Sequence, residues 1–260
     1  MQQNIEKKDW LSFKRNAELD TVIKYLPVEK DIKVLEIGGR DGFMAKRIHD
    51  LGYDITSIDL FPIYPQHFPV AVGDATKLDF ESNQFDFIFT SHLIVEIREL
   101  DLFFDECRRV VKKNGLMVHV VPSTPWSLGT NFWHYLLLPK FFINWIRPNT
   151  LVIDANSYGK NLVETEKQNT KSKIINVLFL HPIGTNPSFL HDIFSFTKRK
   201  WKNLFKNHGF EIVSVENGPH YYTAYGVFKY KLMGMRKSLA KTGFSGSFCY
   251  VLRDKRTPND

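Results

Sequence analysis

The 260-residue chain is 43% apolar, 24% charged and 14% aromatic, proportions that allow a full hydrophobic core and exclude wholesale disorder. Two cysteines, Cys107 and Cys249, exclude a disulfide framework and a cysteine-built zinc cluster. The opening residues MQQNIEKKDW have no apolar signal-peptide core, so a reducing, cytoplasmic setting is expected. The net charge of +7 is unevenly spread. Residues 1–125 carry 16 basic and 20 acidic side chains, and residues 126–260 carry 19 and 8, so an anionic partner is expected on the C-terminal half.

Along the chain, Leu11, Phe13, Leu19, Val22, Ile23 and Leu26 keep helical spacing until Pro27. A short apolar strand, Lys33–Ile37, runs straight into Gly38-Gly39-Arg40-Asp41-Gly42, and Phe43–Leu51 reads as a helix stopped by Gly52. Strands follow at Asp54–Asp59, Pro69–Val72 and Phe85–Thr90, the last leading into Ser91-His92. A helix is expected over Glu99–Lys113, a turn at Asn114-Gly115, and a strand over Leu116–Val121. Strands alternating with helices across short turns specify a parallel sheet covered on both faces.

The rhythm then breaks. Trp126–Ile146 is aromatic-rich, and Asn156–Lys173 reads as a polar loop. Regularity returns with a helix at Thr197–His208, a strand at Phe210–Val215, a helix at Tyr225–Ala240 and a final strand at Ser247–Leu252.

An acid on the first strand followed by a glycine-rich turn opening a helix is a nucleotide-binding arrangement. Glycine allows close approach of backbone N–H groups, and a helix N-terminus favours an anion. GGRDG is not the G-x-G-x-x-G dinucleotide fingerprint, and no Gly-Lys-Ser/Thr follows to make a P-loop. Asp59 ends the second strand, where a carboxylate can accept from ribose hydroxyls. Asp74 follows the third strand, where it can accept from an adenine amino group with the Ala75 N–H beside it.

In this order and spacing, Val34–Gly42, Ser57-Ile58-Asp59-Leu60, Gly73-Asp74-Ala75, Phe85–His92 and Val110–Pro122 resemble the five motifs of class I S-adenosylmethionine-dependent methyltransferases. The resemblance implies an α/β fold: a Rossmann-like, seven-stranded sheet with the last strand antiparallel and an aromatic-rich insertion after the fifth strand. It implies a core over residues 31–122 behind an N-terminal helix (1–30), a substrate-covering insertion (123–196) and a C-terminal completion of the sheet (197–260). It further implies S-adenosyl-L-methionine as cofactor, held by Glu36, Gly38, Gly39, Gly42, Asp59, Leu60, Asp74, Ala75 and Ser91, and no metal. The family pattern has a glycine where this chain has Arg40, which puts the geometry of the turn in question.

The acceptor is less constrained. Thr90-Ser91-His92-Leu93 lacks the Asx-Pro-Pro-aromatic tetrad of amino-methylating DNA enzymes, and no Pro-Cys nucleophile is present. An oxygen acceptor calls for a general base, and histidine suits it near neutral pH. His92, at the carboxyl edge of a strand, and His181, in His181-Pro182-Ile183-Gly184, are the candidates. His191 is a weaker one, and His119, inside a strand, reads as a core residue.

The His-Pro pair, Phe194-Ser195 with Trp201, and the closing Asn207-His208-Gly209-Phe210 are loosely similar to methyltransferases of bacterial surface-polysaccharide biosynthesis. This resemblance implies a sugar, nucleotide sugar or lipid-linked glycan as acceptor. Asn131, His134, Pro139, Lys140 and Asn144 interrupt Trp126–Ile146, against a membrane span. A helical lid and a peripheral contact with the inner face of a membrane remain as its alternative readings. The basic run Lys198–Lys206 reads as the solvated face of a helix that buries Trp201, Leu204 and Phe205. RNA is the runner-up acceptor, drawn by the basic half, and a non-catalytic binding subunit, its pocket blocked by Arg40, is the third reading.

Overall fold

The computed structural model describes residues 2–146 and 183–255. In chain order these form α1 (Gln2–Ile23), β1 (Lys33–Ile37), α2 (Phe43–Asp50), β2 (Asp54–Asp59), β3 (Ala71–Val72) and β4 (Phe85–Ser91). A 3₁₀ turn (Ile94–Glu96), α3 (Leu100–Val110), β5 (Val111–Pro122) and α4 (Thr124–Ile146) follow. The rest is α5 (Phe189–Ser195), α6 (Lys198–Asn207), β6 (Phe210–Asn217), α7 (Met233–Lys241) and β7 (Ser247–Asp254).

The seven strands make one sheet in the order β3-β2-β1-β4-β5-β7-β6. β1 to β5 are mutually parallel where they pair, and β7 is antiparallel to both β5 and β6. This is the α/β architecture expected from the sequence, including its antiparallel ending. Alternating side chains feed two cores. Val34, Phe87, Phe89 and Val118 meet Leu19, Val22, Met44 and Ile48 of α1 and α2 on one face. Leu35, Ile88, Met117 and Tyr250 meet Phe103 and Phe104 of α3 and Trp201 and Phe205 of α6 on the other. Both cysteines are buried in these cores.

Three elements differ from the sequence expectation. The third strand has only two residues, Ala71 and Val72. The Asn114-Gly115 pair lies inside β5, where pairing with β4 jumps from Phe85↔Val111 to Phe87↔Leu116, so residues 112–115 form a bulge and not a helix-to-strand turn. The helix expected over Tyr225–Ala240 begins only at Met233, because Gly226, Lys229 and Leu232 take positive φ of 57°, 38° and 54° and break the helical run. The polar stretch Asn156–Lys173 lies outside the described residues.

The strand order reverses between β1 and β4, and in an open α/β sheet the crevice at such a switch point, outside the carboxyl ends of the strands, is where ligands bind.

Candidate active site

The glycine-rich turn leaves β1 at this crevice. Gly38 and Gly39 donate their N–H groups to the Ile58 carbonyl at 2.8 and 3.0 Å, which ties the turn to β2. Gly38 (φ 87°) and Gly42 (φ 71°, the residue that opens α2) occupy the left-handed region. Gly39 is required for a different reason: a Cβ there would overlap Ser57 Oγ and the Glu36 carboxylate. Arg40 has φ 53°, so it keeps the left-handed backbone that a glycine would supply, and its side chain is exposed. The departure from the family pattern therefore keeps the left-handed turn at a cost in backbone strain.

Glu36 is buried beneath this turn and accepts a 2.6 Å bond from Ser57 Oγ. Burial pushes its carboxyl up to about 7, against the smaller lowering influences of the Ser57 bond and of Arg15. Asp59, at the tip of β2, is aimed by two backbone donors, Arg40 N–H at 2.9 Å and Phe61 N–H at 2.8 Å. The next residue, Leu60, is half exposed. Beyond β3, Asp74 accepts from the Thr76 N–H and hydroxyl at 2.8 and 2.7 Å, both through Oδ1. Those bonds, the backbone one foremost, hold its carboxyl below its ordinary value. Ala75 beside it is buried. Ser91 ends β4 opposite Val120.

Across the crevice stands a cluster with no local sequence signature. His92 has φ 57°, and its N–H bonds to the Val120 carbonyl at 2.8 Å, fixing the ring just beyond β4. Its Nε2 lies 3.2 and 3.3 Å from the two carboxylate oxygens of Glu18, which reaches over from α1. Glu18 Oε1 also accepts from the Tyr222 hydroxyl at 2.5 Å and from Ser247 Oγ at 2.8 Å. Burial alone would raise the Glu18 carboxyl, but the His92 charge and these three bonds outweigh it and hold it at about 2, an anion at all working pH. The Lys14 ammonium lies 4.9 Å from the Tyr222 ring centroid.

The remaining histidines separate by environment. His119 is fully buried in β5, bonded through Nδ1 to Thr90 Oγ1 at 2.8 Å and stacked on Phe205, the core role expected for it. His191 is exposed on α5. His181 lies outside the described residues. Among the described residues no cluster of His, Cys, Asp or Glu could hold a metal ion.

Sequence reasoning missed Glu18, Tyr222 and Ser247. A signal for Glu18 was present: Trp10, Lys14, Glu18 and Thr21 recur at helical spacing and are all buried, so charged side chains share the inward stripe of α1.

A sequence profile of the Methyltransferase domain family matches residues 12–165, more than half of the chain. The chain belongs to that family. The biotin biosynthesis bifunctional protein BioHC of Cellvibrio japonicus is 28% identical over 103 residues, covering 36% of this chain and 20% of that one. This chain thus spans about a fifth of that relative's length. The ubiquinone biosynthesis O-methyltransferase of Bartonella tribocorum is 23% identical over 181 residues, 65% of this chain and 67% of its own. Among solved structures, a Haloferax volcanii methyltransferase, determined in complex with the Trm112 methyltransferase activator, aligns with a TM-score of 0.55. That alignment has 10% identity and covers 98% of this chain and 94% of the other, a likeness of fold.

The domain is of the S-adenosylmethionine-dependent class, and the crevice residues fit that cofactor. Gly39 lets the turn pass directly over the Glu36 carboxyl and Ser57, which keeps that carboxyl beneath the turn. A buried carboxyl raised to about 7 favours a neighbouring cation such as an ammonium group. Asp59 and Asp74 place carboxylate acceptors at the carboxyl ends of β2 and β3.

Proposed function

We propose that this methyltransferase acts on a hydroxyl of a small-molecule acceptor, a sugar, nucleotide sugar or lipid-linked glycan, with His92 as general base. The observation that carries the reading is the Glu18–His92 pair at the carboxyl edge of β4, across the crevice from the glycine-rich turn. Glu36, Gly38, Gly39 and Gly42 hold the amino-acid end of the cofactor, Asp59 the ribose with Leu60 against it, and Asp74, Ala75 and Ser91 the base and its surroundings.

When bound, S-adenosylmethionine supplies an electrophilic methyl group on sulfur and leaves as the thioether. His92 accepts the acceptor's hydroxyl proton as the new carbon–oxygen bond forms, and the Glu18 carboxylate balances the positive charge that the ring gains. Tyr222 and Ser247 hold Glu18 in place by donating to it. The sugar class is supported by the loose resemblance to surface-polysaccharide methyltransferases and by the basic C-terminal half, which suits a phosphorylated acceptor. The O-methyltransferase among the relatives supports an oxygen acceptor. Peripheral contact with a membrane belongs to the same reading, since a lipid-linked glycan is presented at a bilayer surface.

Two measurements test it. Calorimetry with S-adenosylmethionine and its demethylated product is expected to give binding to both. Mass spectrometry of a nucleotide-sugar and glycan panel, incubated with enzyme and cofactor, is expected to give one added methyl group. Absence of cofactor binding overturns the enzyme reading, and methylation of RNA in place of any glycan overturns the acceptor.

A further inference from the structure

A helix on a protein surface ordinarily turns its apolar side inward and its polar side to water. Past its first turn, where Trp126 is buried in the core, α4 does the reverse. Its inward face carries Ser127, Thr130 and His134, each at most 5% exposed. These polar groups are engaged by the chain next to Tyr222: the Ala224 N–H donates to Thr130 Oγ1 at 3.1 Å, and His134 Nδ1 lies 2.6 Å from the Tyr225 hydroxyl. Its outward face carries Leu128, Phe132, Tyr135 and Leu136, between 42% and 62% exposed. The spacing i, i+4, i+7, i+8 puts all four on one stripe.

α5 repeats the inversion. Asp192 is buried, capping the chain by accepting from the Ile183 N–H and the Asn186 amide, while Leu190 and Phe194 are 55% and 69% exposed. The two helices are joined side by side: Thr124 bonds to the Phe196 and Ile193 carbonyls, and the Tyr135 and Phe189 rings lie 6.2 Å apart. Their outward residues make an apolar face with a polar underside.

The chemistry of its border selects the occupant. The only acidic residue of α4 and α5 is the buried Asp192. α6 starts two residues after α5 ends and turns Arg199, Lys200, Lys202 and Lys206 to solvent, while Trp201 and Phe205 anchor it in the core. None of these four cations joins a salt bridge among the described residues. An apolar stripe bearing aromatic rings, followed in the chain by exposed Lys and Arg without salt bridges among the described residues, matches the boundary of an anionic lipid bilayer. No helix among the described residues is long and apolar enough to cross a membrane, so the contact lies in the interface plane.

We propose that the α4–α5 face docks on an anionic bilayer, with α6 as its cationic flank. Because the inner side of α4 bonds to the segment carrying Tyr222, docking ties the lipid contact to the segment that holds Glu18. This step deepens the membrane-presented acceptor of the proposed function and rests on that reading for the identity of the acceptor alone.

Co-sedimentation of the full chain with phosphatidylcholine vesicles, with and without phosphatidylglycerol, tests it. Binding is expected only to the phosphatidylglycerol vesicles and to weaken with salt. Phe132→Ser/Leu136→Ser is expected to lower the partition coefficient about tenfold or more. Lys200→Ala and Lys202→Ala are each expected to lower it about fivefold. All of these variants should keep the wild-type circular dichroism and cofactor affinity, since their side chains are exposed.

Lack of binding to anionic vesicles overturns the proposal, as does binding untouched by Phe132→Ser/Leu136→Ser. Concentration-dependent self-association through Phe132, or single-stranded RNA binding at Lys200 and Lys202 in place of vesicle binding, overturns it too. A chain that binds vesicles yet fails to bind cofactor fails the enzyme reading and leaves this one standing.

Discussion

On the β1–β2–β3 side of the crevice, the groups proposed to hold the cofactor come from one stretch of chain, from Glu36 to Ala75, each at or near the end of its strand, and Ser91 joins them from the end of the neighbouring β4. On the β4–β5 side, Glu18 is joined to His92, Tyr222 and Ser247 across 74, 204 and 229 residues of sequence. The first wall is assembled by turns and the second by tertiary packing. A ligand common to a whole family can be met by fixed local geometry. A wall specific to one acceptor can be rebuilt by changing which distant segments meet.

The largest expected effect separates the two walls. His92→Ala should lower turnover by about 10²–10⁴-fold, the usual contribution of a general base, while calorimetry gives an unchanged affinity for S-adenosylmethionine. Glu18→Gln keeps the shape and removes the charge. It should lower kcat by a smaller factor, again without touching cofactor affinity, because Glu18 acts through His92. A matching loss of cofactor binding in either variant would mean that the two walls are one.

The second wall also carries an acid sensitivity. His220 is fully buried between Trp10, Phe13 and Tyr222, with no hydrogen-bond partner for either ring nitrogen among the described residues. Burial foremost, then the like charges of Arg236, Lys14 and Lys237, push its pKa down to about 4, against the opposing pull of Glu18. The unfolded chain therefore takes up the proton first. Stability is complete above the ordinary value of 6.5 and falls as the pH drops toward about 4, by about 3 kcal/mol in all. Thermal or urea unfolding should find His220→Phe, which suits an aromatic pocket, gaining about 2 kcal/mol on wild type between about pH 7 and about pH 5. Parallel pH profiles of the two proteins would refute the assignment.

This contrast also explains what could be read before folding. The strand-end positions of Asp59 and Asp74, and the turn after Ile37, follow from hydrophobic periodicity and glycine placement, which are properties of neighbours. The helix expected at Tyr225 failed because left-handed residues at Gly226, Lys229 and Leu232 interrupt an apolar pattern that otherwise suits a helix. Tyr222 and Ser247 carry no mark of their role, since a phenol and a hydroxyl acquire it only when Glu18 arrives from the far end of the chain. The inverted polarity of α4 was equally hidden. Its residues are legible, but which face is inward depends on the segment at 221–225 packing beneath it.

On the first wall the expected effects are smaller. Asp59→Ala removes the acceptor of the Arg40 and Phe61 N–H groups as well as the proposed ribose contact. Hydrogen bonds to a charged group contribute about 1.5–3 kcal/mol, so cofactor affinity should fall by about 10- to 100-fold. kcat at saturating cofactor should stay near wild type, the reverse of the His92 result.

Glu36 supplies the mildest and most diagnostic test. Burial holds its carboxyl at about 7 in the ligand-free fold, so near neutral pH part of the population must lose a proton before an ammonium group can be received. Affinity for S-adenosylmethionine should rise with pH up to about 7, by at most about tenfold per unit, and level off above it. Glu36→Gln should flatten that profile and lie below wild type on the alkaline side. In the free protein the same shift acts on stability with the opposite sign to His220. The stability present below the ordinary value of 4.5 is lost as the pH rises to about 7, by about 3 kcal/mol. Bound cofactor should recover that loss, so the stabilisation by ligand in a thermal melt should grow between about pH 5 and about pH 8. If it is constant across that range, Glu36 does not face the cofactor's ammonium group, and the first wall is less locally determined than its motifs imply.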